Sequence, residues 1–164
     1  MQYAKLLGAG ATVVAFARND EKLALATENG ADHTINIGDR TGDQVRDALE
    51  QTTGRREVDA VIECAGAQNS IRLAFELLAT EGAVATVGLV GNRVDMPLFP
   101  VVSREYTLFG SFWGNYNDLT EVVALAEAGK IKDSVTQVRF EEVNDHIEAL
   151  GRGEFVGRAV IVYD

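Results

Sequence analysis

With 164 residues, the chain has the length of one ordinary domain and enough of it to bury a sizeable core. Its 25 acidic residues against 15 basic ones leave a net charge of −10, which argues against nucleic acid and anionic membranes as partners and suits a salt-rich cytoplasm. One cysteine excludes an internal disulfide and a cysteine-rich zinc site, and no apolar run approaches the roughly 20 residues of a membrane span.

The opening Met1-Gln2-Tyr3-Ala4-Lys5 lacks the apolar segment of a signal peptide, which points to a soluble, cytoplasmic protein. Residues 3–7 read as the last turns of a helix ending at a capping Gly8. Gly8-Ala9-Gly10 resembles a phosphate loop in composition only. Such a loop follows a strand and opens a helix, whereas this pair follows a helix and opens a strand, so it is a turn. Residues 11–17 are small and β-branched, as in a strand buried on both faces. Arg18 follows, and Asn19 or Asp20 then caps a helix over 21–28, stopped by Asn29-Gly30.

His33 sits in a turn before a short strand at 34–37, where it reads as a structural hydrogen-bonder. Residues 41–52 carry Val45, Ala48 and Leu49 at helical spacing, and a polar loop leads to a strand at 58–63 that ends in Cys64-Ala65-Gly66. Cys64 reads as a small buried hydrophobe rather than a nucleophile. Ile71, Ala74, Phe75 and Leu78 share one face of a helix over 70–78. Gly82 breaks that helix, and a strand at 83–87 ends in Gly88. Pro97 and Pro100 bracket an apolar loop, and residues 105–113 alternate into a strand. A helix from Asp118 stops at Gly129. A strand (135–140), a helix (143–150) carrying a solvated His146, and a final strand (157–162) complete the chain.

Strands separated by helices of about 10 residues predict an α/β fold with a doubly wound parallel sheet of Rossmann type. Ligands of such sheets sit beyond the carboxyl ends of the strands. Those ends are Ala17-Arg18, Cys64-Ala65-Gly66 and Val87-Gly88-Leu89, all rich in small residues. The residue ending the second strand meets the adenosine ribose and largely decides between NAD and NADP. Ala17 offers no carboxylate to a ribose hydroxyl, and Arg18 beside it suits a 2′-phosphate, so NADP is expected ahead of NAD.

Six segments carry a resemblance: Gly30-Ala31-Asp32-His33, Val58-Asp59-Ala60-Val61-Ile62-Glu63, Val87-Gly88-Leu89, Gly110-Ser111-Phe112-Trp113-Gly114, Ala126-Glu127-Ala128-Gly129-Lys130-Ile131 and Gly157-Arg158-Ala159-Val160. In this order and spacing the chain resembles the coenzyme-binding domain and C-terminal tail of zinc-containing medium-chain alcohol dehydrogenases. The resemblance implies hydride transfer between an alcohol and nicotinamide. It sets Val87, Gly88 and Leu89 against the nicotinamide ring, backbone groups of Ser111 and Trp113 at its carboxamide, and Arg158 near the pyrophosphate. It also implies a homodimer in which the strand within 106–113 pairs with its copy.

The family's glycine-rich loop and zinc-bearing catalytic domain precede the segments matched here. Residues 1–164 are therefore expected to form a single partial dinucleotide-binding domain, truncated at its N-terminus, with 135–164 as the tail that returns to the catalytic domain. In a sheet of order 3-2-1-4-5-6, a slot then lies open between strands 11–17 and 58–63. The resemblance implies that zinc belongs to the intact family member; in the sequence itself, one cysteine, Cys64, and two distant histidines, His33 and His146, assemble no zinc site. The chain alone is expected to be inactive. A non-catalytic module that binds a nucleotide or a partner subunit is the alternative.

Overall fold

The computed structural model describes residues 1–155 and 157–163, which form α-helices and strands arranged as two compact units. One unit joins Met1–Thr34 to Tyr116–Asp164; the other is the continuous stretch Ile35–Asn115.

In the first unit, α1 (Gln2–Leu7) ends as predicted at Gly8, whose N–H donates to the Ala4 carbonyl at 3.0 Å. Ala9 and Gly10, both at positive φ, then form the turn. Strand β1 (Val14–Ala17) is shorter than 11–17 because Val13 is occupied otherwise. The Val13 N–H donates to the Asp32 carboxylate at 2.7 Å, and its carbonyl accepts the Asp32 and His33 N–H groups at 2.8 and 3.3 Å. Asn19 is the cap of α2 (Asp20–Glu28), its side chain accepting from the Glu21 and Lys22 N–H groups at 2.8 and 3.3 Å. Ala15, Leu23 and Ala31 form the buried cluster, bordered by Ala17 and Ala26; these small side chains let α2 lie close against β1. β1 pairs with β2 (His33–Asn36). Later in the chain come α6 (Tyr116–Glu127), β6 (Val135–Arg139), α7 (Val143–Gly151) and β7 (Arg158–Val162), with β6 and β7 parallel. The Gln2 side chain ties both stretches together: its Nε2 donates to Asn29 Oδ1 and to the Lys132 carbonyl, and its Oε1 accepts the Lys132 N–H. His146 is half-buried rather than solvated, because Phe155 packs edge-on against its ring, with centroids 5.5 Å apart.

The second unit contains α3 (Gly42–Thr53), capped by a reciprocal Thr41–Gln44 box, and a parallel sheet of order β3 (Val58–Glu63), β4 (Leu78–Thr86), β5 (Thr107–Gly110). Helix α4 (Gln68–Leu77) buries Ile71, Ala74 and Phe75 against Leu78 and Val84, the larger side chains contributing about 1.5–3 kcal/mol each. Three expectations are corrected. Gly82 does not end a helix: α4 stops at Leu77 and runs straight into β4, with 79–82 thrown out of register between the pairs Val58–Leu78 and Ala60–Ala83. The stretch from Pro97 to Pro100 is no loop but the cap and first turn of α5 (Leu98–Ser103). A helix's first-turn N–H groups have no acceptor within the helix, so Pro100 forfeits nothing there. The outer strand covers only four residues, since Glu105 and Trp113, at φ of 56° and 52°, bend the chain on either side of it.

Among the described residues, β1 and β3 fall in separate sheets, each bonded along one edge. No helix there is long and apolar enough to cross a membrane.

Candidate functional site

The carboxyl ends of β3 and β4 carry two short segments, 64–66 and 87–91, zipped together by backbone hydrogen bonds. Val87 and Gly88 donate to the Glu63 carbonyl at 2.8 and 3.1 Å, Val90 donates to Ala65 at 3.3 Å, and Gly91 donates to Gly66 at 2.9 Å. The segments touch through their glycines. A Cβ on Gly66, which sits at φ 70°, would lie 2.3 Å from the Gly88 carbonyl, and one on Gly88 would lie 2.2 Å from the Gly66 nitrogen. No side chain fits between them, so this end of the sheet presents backbone.

The side chain of Glu63 lies beneath. It is 5% exposed, and its two oxygens accept the Ala65 and Gly66 N–H groups at 3.0 and 2.7 Å. The neighbouring Ile62 is 60% exposed. Strand alternation thus runs against hydrophobicity at this end of β3, with the carboxylate inward and the aliphatic chain outward. Sequence reasoning passed over Glu63. The available signal was a carboxylate closing the apolar run Ala60-Val61-Ile62 directly before Cys-Ala-Gly.

Cys64 is exposed, not a buried hydrophobe: the residue after the inward Glu63 faces out, with its Sγ 3.8 Å from the Ile62 carbonyl. Local desolvation and, less, the Glu63 charge push its thiol up, away from the thiolate a nucleophile requires. Val87 and Leu89 are exposed on the zipped segment. The Ser111 N–H donates to Thr86 at 2.9 Å, so a backbone contribution of Ser111 to a ligand falls to its carbonyl. Trp113 is 85% exposed, its ring edge-on to Phe112.

In the other unit, Ala17 closes β1 and Arg18 is exposed at the bend that follows. Arg158 is exposed too, but it opens β7 opposite Val135, at the amino end of a parallel pair; the carboxyl-end rule does not reach it. An open depression of about 510 Å³ lined by Arg46, Arg55, Arg56 and Glu57 offers no anion site, since Asp43, Asp59, Asp47 and Glu50 already pair with its guanidinium groups.

Residues 1–128 match the family model described as zinc-binding dehydrogenase. The chain belongs to that family. Among relatives, the chain is 31% identical to a D-arabinose 1-dehydrogenase (NADP(+)) of Saccharolobus solfataricus over 98% of its own length and 45% of the relative's. It is 33% identical to an NAD-dependent alcohol dehydrogenase of Sulfurisphaera tokodaii, over 99% and 46%. The crystal structure of an Aeropyrum pernix alcohol dehydrogenase superposes with a TM-score of 0.87 at 36% identity, covering 99% of this chain and 45% of that one. The chain therefore spans somewhat less than half the length of the relatives it matches. Among the described residues, no three His, Cys, Asp or Glu side chains group to hold a metal ion.

Proposed function

We propose that this chain is the coenzyme-binding part of an NAD(P)-dependent alcohol dehydrogenase, holding a nicotinamide dinucleotide for hydride transfer between an alcohol and its aldehyde. The observation that carries the reading is the interlock of Gly66 with Gly88 at the carboxyl ends of adjacent parallel strands, where a flat ring can lie directly on backbone. Val87, Gly88 and Leu89 face the nicotinamide on this reading, with Cys64, Ala65 and Gly66 beside them. The Ser111 carbonyl and the Trp113 backbone orient its carboxamide. The bound nicotinamide supplies the hydride chemistry; the protein's own groups orient the ring and screen it from water.

At the adenosine end, Ala17 leaves room at the ribose and Arg18 meets a 2′-phosphate through charge-assisted hydrogen bonds, which favours NADP over NAD. Arg158 serves the pyrophosphate. Residues 135–164 form the tail that returns toward the catalytic domain of a longer protein. A second copy pairs through β5, whose exposed Leu108 and Phe109 are uncommon on a free edge.

Calorimetric titration of the purified chain with NADPH and NADH tests the reading. Saturable binding, tighter for NADPH, is expected; no binding of either at millimolar concentration overturns it. With zinc and a panel of alcohols, the same chain should give no change at 340 nm. Steady turnover that survives a chelator would refute the assignment of the chemistry to residues outside this chain.

A further inference from the structure

We propose that Glu63 is a positioning residue of the dinucleotide site, its buried carboxylate setting the shape of the segment on which the nicotinamide half rests. The inference builds on the coenzyme-binding reading above and adds a residue that neither touches the ligand nor stands in any of the six segments' ligand-facing roles. A carboxylate is costly to bury unless its oxygens are satisfied by hydrogen bonds. At Glu63 no cation does this among the described residues; two consecutive backbone N–H groups do, from Ala65 and Gly66. An aliphatic side chain at 63 would take the acceptor from both, and the Gly66 N–H, whose bond is buried, would be left without one. The same residue's carbonyl takes the Val87 and Gly88 N–H groups. Glu63 therefore grips both segments, 64–66 with its side chain and 87–88 with its main chain.

The chemistry of the grip is specific. A carboxylate presents two acceptors to two donors, whereas a glutamine of the same size presents one acceptor and one donor, and its NH₂ would face an N–H group. Glu63→Gln thus keeps volume and removes half of the side chain's part in the grip, while Glu63→Ala removes that part whole and keeps the main-chain part. The Gly66–Gly88 approach, with no room for a methyl group between the segments, transmits any shift of 64–66 directly to 87–91.

The test combines hydrogen exchange with two ligands, NADPH and 2′-phospho-ADP-ribose, which is NADPH without its nicotinamide ring. In Glu63→Gln, amides of 64–66 and 87–91 should exchange about tenfold faster and NADPH should bind about tenfold more weakly, the equivalent of one charge-assisted hydrogen bond. The ringless ligand should change by less than about twofold, and Glu63→Ala should exceed Glu63→Gln in the first two effects. Equal loss of both ligands, unchanged exchange, unchanged NADPH affinity, or failure of both variants to fold overturns the proposal and leaves Glu63 a plain core residue. A wild-type chain that binds the ringless ligand as tightly as NADPH overturns the proposal, and one that binds neither overturns the coenzyme reading itself.

Discussion

Gly88→Ala is the substitution with the largest expected effect. The new methyl carbon would stand 2.2 Å from the carbonyl carbon of Ala65 and the nitrogen of Gly66, and both are main-chain atoms that no rotamer change can move. Reaching the 3.4 Å of ordinary contact requires the segments to part by about 1.2 Å. Overpacking of this kind costs about 1–3 kcal/mol. The hydrogen bonds from Val87, Gly88, Val90 and Gly91 stretch at the same time, each being worth about 0.5–1.5 kcal/mol net. A total loss of about 3–4 kcal/mol is a large share of the 5–15 kcal/mol typical of a folded protein. Urea unfolding followed by far-UV circular dichroism should then show a midpoint lowered by about 1.5 M. Gly110→Ala is the control: a Cβ there meets nothing within 4 Å, and the change should stay within about 0.5 kcal/mol. A Gly88→Ala protein that loses less than about 1 kcal/mol would refute the close approach as the determinant of this end of the sheet.

Ala17→Asp, made in a full-length dehydrogenase carrying this segment, should move preference from NADP toward NAD, because the new carboxylate accepts from a ribose 2′-hydroxyl and repels a 2′-phosphate; an unchanged ratio of kcat/KM values sinks the role given to this position. Asp32 is held below the ordinary carboxylate range by hydrogen bonds from Lys5 and then from the Val13 N–H. Its contribution to stability is therefore complete above the unfolded carboxylate value and is lost as pH falls through the lowered folded one, so Asp32→Asn should flatten the acid limb of a stability profile below about pH 4. Phe109→Lys should shift the protein toward monomer in sedimentation, since it puts a charge at the exposed outer strand; an unchanged mass removes that edge as the interface.

Where local chemistry decides, the sequence was legible. β3 falls on the residues its apolar run marks, and α2 starts at the asparagine whose side chain can cap it. The three strand ends rich in small residues were also readable, because glycine and alanine there have few other uses. What escaped depends on partners distant in sequence. Pro97 and Pro100 look like loop punctuation until the chain is seen to place them where a helix needs no donors. Gly66 and Gly88 are visible as glycines, but nothing local says that each excludes a methyl group from the other. Glu63 reads as a polar strand terminus, and only the fold turns it inward onto two N–H groups. The doubly wound order is met in part: β3, β4 and β5 take consecutive places, and β1 and β2 pair beside each other.

The hydrogen bonds of Gln2 have a consequence for synthesis on the ribosome. They tie the second residue of the chain to Asn29 and to Lys132, inside a compact unit assembled from Met1–Thr34 and Tyr116–Asp164. The intervening stretch, Ile35–Asn115, is continuous and is synthesised entire before the first residue of that later segment is added. At about 5–20 residues per second, the later segment takes a further 2–10 s to complete. For those seconds α1 and α2 have been translated but lack the partner that Gln2 reaches for. Within residues 1–164 the middle stretch is thus made whole before the unit that holds α1 and α2 can close.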